Sequence, residues 1–188
     1  MKEFVFLNGF WYNPIAEKKF MILYHGSDQT IKTPELRPSI RTLDFGPGFY
    51  TTTNKEQAIN FATKVYERSI RMGNTPQGKF ITIYEADYES MQKELEILHF
   101  ESANVTWFDF IIANRRSTWQ GKQYDIILGP VANDTIYRTL IAFEAGEVSK
   151  ADTINKLKVR KLFDQVAFKS ERALCHLRYS DFLELNNE

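Results

Sequence analysis

The sequence predicts an α+β fold, and three observations carry that reading. Short apolar, β-branched runs such as "KFMILYHGS", "KFITIYEAD" and "YDIILGPV" have the length and content of strands. Other segments repeat their apolar residues at helical spacing. The two kinds are mixed without the strict alternation that a doubly wound parallel sheet requires.

In chain order, "KFMILYHGS" (Lys19 to Ser27) reads as a buried strand ending at His25, before a Gly-Ser break. Asp28 to Arg41, with Pro34 and Pro38, reads as a loop. "GFYTTT" is a second short strand. Asn54 with Gln57 three residues on has capping-box spacing, and Ala58, Phe61, Ala62, Val65 and Tyr66 follow at helical intervals. A helix is therefore expected from Lys55 to Met72. "GNTPQG" breaks the chain before the strand "KFITIYEAD".

"ESANVTWFDFIIANRR" reads as a helix with Trp107, Phe108, Ile111 and Ile112 inward. "YDIILGPV" (Tyr124 to Val131) reads as a buried strand closed by Gly129-Pro130. Two helices should follow, one beginning near Asn133 and one capped by Ser149 with Asp152 three residues later. "FDQVAFKS" is a late strand, and "ERALCHL" a short helix capped by Ser170 with Cys175 on its inner face.

A length of 188 residues, 43% hydrophobic, suits one domain over residues 1–188 rather than two small ones. Charge is balanced, 24 Lys+Arg against 24 Asp+Glu, so no global field would gather nucleic acid or an anionic membrane. "RSIR" and "KVRK" are the local basic candidates. One cysteine excludes an internal disulfide framework and leads us to expect a reducing, cytoplasmic setting. No apolar run approaches the ~18 residues of a membrane span, so no membrane partner is expected.

"DFGPGFYTTT" (Asp44 to Thr53) resembles fragments of several motifs at once. A kinase reading of Asp44-Phe45-Gly46 fails, because only 43 residues precede it and the upstream machinery needs more. A dinucleotide-fold reading fails for want of a third glycine and a preceding strand of the right type. What remains is a pair of glycines that either make a tight turn or let the backbone approach a ligand closely. The three histidines share no ligand spacing, so no metal is expected. His99 lies among apolar residues, and His176 reads as a solvated helix residue. His25 differs, since a strand end there presents an imidazole, an open backbone and a hydroxyl together.

"LYHGS" followed by "FGPGFYTTTNKEQAINFA" resembles the first two motifs of ADP-ribosyltransferases of the diphtheria-toxin and poly(ADP-ribose) polymerase type, over Leu23 to Ala62. The chain also looks like a group of small bacterial proteins with this signature. The resemblance implies a split mixed or antiparallel sheet flanked by helices, with NAD as substrate. By the same resemblance His25 would bond the adenosine ribose of NAD, Gly26 would hold the nicotinamide carboxamide through its backbone, and Ser27 would help bind the ribose. Gly48 would bring Tyr50 against the nicotinamide ring opposite Phe61, with Ala58 where a serine is usual.

The third motif resembles "DQVAF", which sets Gln165 where the family has its catalytic glutamate and makes His25, Tyr50 and Gln165 the implied catalytic set. Cleaving the glycosidic bond of NAD develops positive charge on the ribose, which a carboxylate stabilises and a carboxamide does not. A charge ~4 Å away at an effective dielectric near 20 is worth about 4 kcal/mol, on the order of a thousandfold in rate. Asp164 and Asp125 are candidates to supply that charge, although alternation along the strand would point Asp164 to the face opposite Gln165. Arg41 and Asp44 are also candidates to contact phosphate or substrate. The implied function is a mono-ADP-ribosyltransferase, as the toxin of a small operon with an antitoxin-like partner and a protein or nucleic-acid acceptor. The alternative is a non-catalytic NAD or ADP-ribose binding module.

Overall fold

The computed structural model describes residues 5–7, 10–13, 18–38, 43–130, 134–158 and 164–186. The fold is α+β, with two sheets and six helices among those residues. The larger sheet is antiparallel, in the order β1 (Val5–Leu7), β2 (Phe10–Asn13), β3 (Lys18–Ser27), β5 (Lys79–Asp87) and β9 (Arg178–Leu185). The smaller is mixed, in the order β4 (Phe49–Thr51), β8 (Asp164–Phe168), β7 (Ile126–Pro130) and β6 (Ile97–His99), with only β6 and β7 parallel.

Alternation along the strands decides what each face covers. Met21 and Leu23 of β3, Tyr84 of β5, Phe49 of β4, Leu128 of β7 and Phe168 of β8 form one buried cluster between the sheets. The intervening Ile127 and Ala167 face the other way, into a cluster with Trp107, Phe108 and Ile111 of α3 (Val105–Arg115). On the outer face of the larger sheet lies α1 (Lys55–Arg71). Its Ala58 and Ala62 backbone comes so near Gly26 that an added Cβ would sit 2.2 Å from the Ala58 carbonyl oxygen. Gly26 thus has a packing reason to be glycine.

Local signals hold well at several elements. The Asn54 side chain accepts the Gln57 N–H, as the capping spacing implies. Ser149 accepts the Asp152 N–H at the head of α5 (Lys150–Lys158), and Ser170 accepts the Ala173 N–H at the head of α6 (Glu171–Leu174). All four apolar residues assigned to the inner face of α3 are buried, although the helix starts later than the sequence implies, after an Asn104 cap.

Other expectations are corrected. β3 continues past His25 to Ser27, because Gly26 and Ser27 pair with Ile81 and Phe80. β7 begins at Ile126 rather than Tyr124, and Gly129 and Pro130 are its last two residues, opposite Gln165 and Asp164. Cys175 is exposed, since α6 is only four residues long and Ala173 and Leu174 fill its inner side. His176 lies beyond α6 with its side chain only 16% exposed, beside Glu94. His99 is exposed on β6. Strands β1, β2, β6 and β9 and helix α2 (Tyr88–Glu94) had no sequence expectation. The helix expected near Asn133 is α4 (Asp134–Glu144), and Asn133 itself lies outside the described residues, as does most of "KVRK". No described helix is long and apolar enough to cross a membrane.

Candidate functional site

The two sheets meet where β3 and β4 diverge. Tyr24 and Thr52 exchange backbone hydrogen bonds of 2.8 and 3.0 Å there, joining one sheet to the other. One residue along, His25 Nδ1 lies 2.7 Å from the Tyr50 carbonyl oxygen. A carbonyl only accepts, so Nδ1 carries the proton and a neutral ring keeps a lone pair on Nε2. Burial lowers the His25 pKa, with the bond to Tyr50 acting the other way, so the neutral form prevails at neutral pH. The ring stacks on Phe49 at 4.4 Å. Imidazole position and tautomer are both fixed by the seam.

The "GPG" turn holds Tyr50. Gly46 takes a positive φ of 74°, which favours glycine. Gly48 presses on β8, where an added Cβ would lie 2.8 Å from the Phe168 carbonyl oxygen. The Tyr50 hydroxyl donates to the Gly46 carbonyl at 2.6 Å and accepts the Phe45 N–H at 3.2 Å. Burial, then the Asp44 charge, push the phenol pKa far up. Tyr50 therefore offers a ring and no proton acceptor. The Lys169 ammonium donates to the Phe45 carbonyl and pins the same turn from behind.

The three threonines fix the start of β8. Thr51 Oγ1 donates to the Val166 carbonyl, Thr52 Oγ1 lies 2.9 Å from the Asp164 carbonyl, and Thr53 Oγ1 donates to the Asp164 carboxylate at 2.8 Å. Asp164 is thereby engaged away from its neighbour. Gln165, next in the strand, is only 6% exposed, and its side-chain NH2 has no hydrogen-bond partner among the described residues. A buried donor left unpaired costs about 1–3 kcal/mol, and such a group calls for an explanation.

These residues open on one cleft of about 460 Å³, within the ~300–1,000 Å³ of small-molecule sites. His25, Gly26, Gly48, Tyr50, Phe61 and Gln165 all line it, as does Asp44. Phe61 stands 45% exposed on α1, with ring surface left to cover. Two expected members are not brought in. Ser27 is buried with its hydroxyl toward Asp28 and does not line the cleft. Asp125 is held by Arg172, by Ser170 at 2.6 Å and by the Glu96 N–H at 2.9 Å, which keep its carboxyl well below the usual carboxylate range. It is a structural aspartate. Arg41 lies outside the described residues.

Sequence reading missed several lining residues. Arg115, at the end of α3, meets Asp44 at 3.5 Å and Glu144 at 3.4 Å. Gln57, Arg68 and Arg37 also face the cleft. Gln57 and Arg68 share α1 with Phe61 and were within reach of a helical reading. Arg115 was not, because it is brought in by the packing of α3 and its own sequence shows only a helix end.

The geometry can do two things chemically. It can stack a flat ring against aromatic side chains, and it can bond hydroxyls or carbonyls through His25 Nε2 and the Gln165 amide. Among the described residues there is no group of three or more His, Cys, Asp or Glu able to hold a metal ion.

Residues 21–179 match the model of the family described as "Protein of unknown function (DUF3990)", and the chain belongs to that family. No curated protein and no solved structure matches it.

Proposed function

We propose that this DUF3990 chain binds NAD in the cleft at the sheet seam and uses it as the donor for mono-ADP-ribosyl transfer. The observation that carries the reading is the convergence of His25, Tyr50, Phe61 and Gln165 on one cleft, from three strands and a helix. Arg37, Arg68 and Arg115 line the cleft as well, guanidinium groups of the kind that bond pyrophosphate oxygens.

In this reading the nicotinamide ring stacks on Tyr50 and Phe61, and His25 Nε2 accepts from a ribose hydroxyl. The orphan Gln165 NH2 gains an oxygen acceptor on the dinucleotide. Transfer breaks the C1′–N bond of NAD, and its electron pair goes to the pyridine nitrogen, so nicotinamide leaves neutral. A nucleophile on the acceptor bonds C1′ and gives its proton to solvent.

A second reading keeps the NAD or ADP-ribose binding and drops the turnover. It is favoured by the carboxamide of Gln165 standing where the resemblance calls for a carboxylate. Incubation with NAD labelled in the adenylate half and a cell lysate separates the two. Transfer expects label on protein or nucleic acid with matching nicotinamide release. Binding alone expects neither, together with a calorimetric NAD affinity that Tyr50→Ala weakens. No affinity for any adenine nucleotide contradicts both.

A further inference from the structure

Gln165 is buried and lines the cleft, yet its side-chain NH2 meets no acceptor among the described residues. Strand register shows why its neighbours leave it open. On one side Gln165 stands opposite Gly129 of β7. Gly129 brings no side chain, and the space above it is filled by Phe100 and Phe45, which an added Cβ would meet at 3.0 and 3.2 Å. Those rings offer an amide no oxygen. On the other side the pairing of Thr51 with Val166 carries on to Thr52, whose hydroxyl lies 2.9 Å from the Asp164 carbonyl and accepts the Asn54 N–H at 3.0 Å.

The same register places the amide within the cleft. Gln165 and Ala167 lie two apart and share a face of β8, and Ala167 stands directly opposite Tyr50. Tyr50 and Gln165 are therefore diagonal neighbours on one face, at ~7–8 Å, a separation that aromatic and long side chains span. The Tyr50 hydroxyl is tied to Gly46 and Phe45, so its ring is what the cleft receives. An open NH2 thus stands beside the ring on which a ligand ring would stack.

An amide N–H donates to a neutral carbonyl and to a carboxylate alike, and the bond to the charged oxygen is the stronger. A glutamate at this place would do the reverse. It would accept from a ligand NH2 and repel a ligand carboxylate.

We infer that Gln165 reads the substituent of the ring that stacks on Tyr50 by donating to its oxygen, so that the cleft takes the dinucleotide of nicotinic acid as well as that of nicotinamide. The inference rests on the NAD reading above and widens its ligand class to pyridine dinucleotides whose ring carries an acceptor oxygen, neutral or charged.

The test is calorimetric titration with NAD, with nicotinic acid adenine dinucleotide, and with 3-acetylpyridine adenine dinucleotide, which keeps the carbonyl and lacks the amide NH2. The unsubstituted protein should bind all three within roughly tenfold of one another, the acid most tightly. Gln165→Glu should keep NAD, whose carboxamide can turn its NH2 toward the new carboxylate, and should weaken the acid on the order of a hundredfold. Gln165→Leu, which serves if the glutamate variant does not fold, should weaken all three by roughly tenfold. An unsubstituted protein that binds NAD and rejects the acid overturns this inference and leaves the NAD reading standing. So does a glutamate variant that still takes the acid, or a leucine variant that binds all three unchanged. Failure to bind any of the dinucleotides overturns the NAD reading and this inference together.

Discussion

Tyr50 uses its two ends for different purposes. The hydroxyl closes the turn on Phe45 and Gly46, and the ring lines the cleft. Tyr50→Phe should therefore keep ligand stacking and lower stability by about 1–2 kcal/mol, since the Phe45 N–H loses its partner. Tyr50→Ala should lose the ligand affinity as well. Denaturant unfolding and NAD titration of the pair read the two effects separately. Gly26 makes the converse case. The resemblance gives it a role toward the carboxamide, whereas its contact with the α1 backbone requires glycine whatever the ligand. Gly26→Ala must push the helix away and should cost about 1–3 kcal/mol, visible as a lower denaturant midpoint with no ligand present. The outward position of Cys175 was illegible at this scale, because a four-residue helix has too few positions to define an inner face.

At the scale of elements, the end of β8 is tied from both sides. Thr51 to Thr53 hold its start, and Asp125 beside β7 holds its far end through Ser170 and the Lys169 N–H, which donates to the Asp125 carbonyl. Asp125→Asn should cost about 1–3 kcal/mol. The stability that Asp125 contributes is present above about pH 4 and is lost as pH falls through its depressed folded value, so acid unfolding should be blunted in the variant.

Lys169 gives the opposite dependence. Burial pushes its ammonium down to about 8, against about 10.4 in an unfolded chain. Between those values the unfolded chain binds more protons, so unfolding free energy should rise from about pH 8 toward pH 10. The raised tyrosine values of Tyr50 and Tyr84 act only above about pH 10. Unfolding at about pH 7.5 and 9.5 should show the rise in the unsubstituted protein and not in Lys169→Met. Strands β3, β5 and β8 were legible because runs such as "ITIY" and "VAF" are both apolar and β-branched or aromatic. Strand β9 was not, since as an edge strand it is mostly exposed and reads "RYSDFLEL" without a clear apolar face.

At the scale of the molecule, the cleft exists because two sheets share a seam between Tyr24 and Thr52. Sequence could show His25, Tyr50 and Gln165 as marks on separate strands, and the motif order suggested that they meet. It could not show that Asp44 lines the cleft while Asp125 does not, because only strand pairing and ion pairs set the two apart. Gln165→Glu supplies a carboxylate at the position where the resemblance expects one. It should raise nicotinamide release by up to about a thousandfold, as measured by chromatography of the freed base. No increase would mean that charge at this position is not limiting.

The central claim is that the seam cleft is an NAD site, and a crystal structure of the protein grown with NAD tests it most directly. The expected result is nicotinamide against Tyr50 and Phe61, a ribose hydroxyl at His25 Nε2, and a dinucleotide oxygen about 3 Å from the Gln165 NH2. A dinucleotide bound elsewhere, or a cleft in which the Gln165 amide still meets no ligand atom, would contradict it.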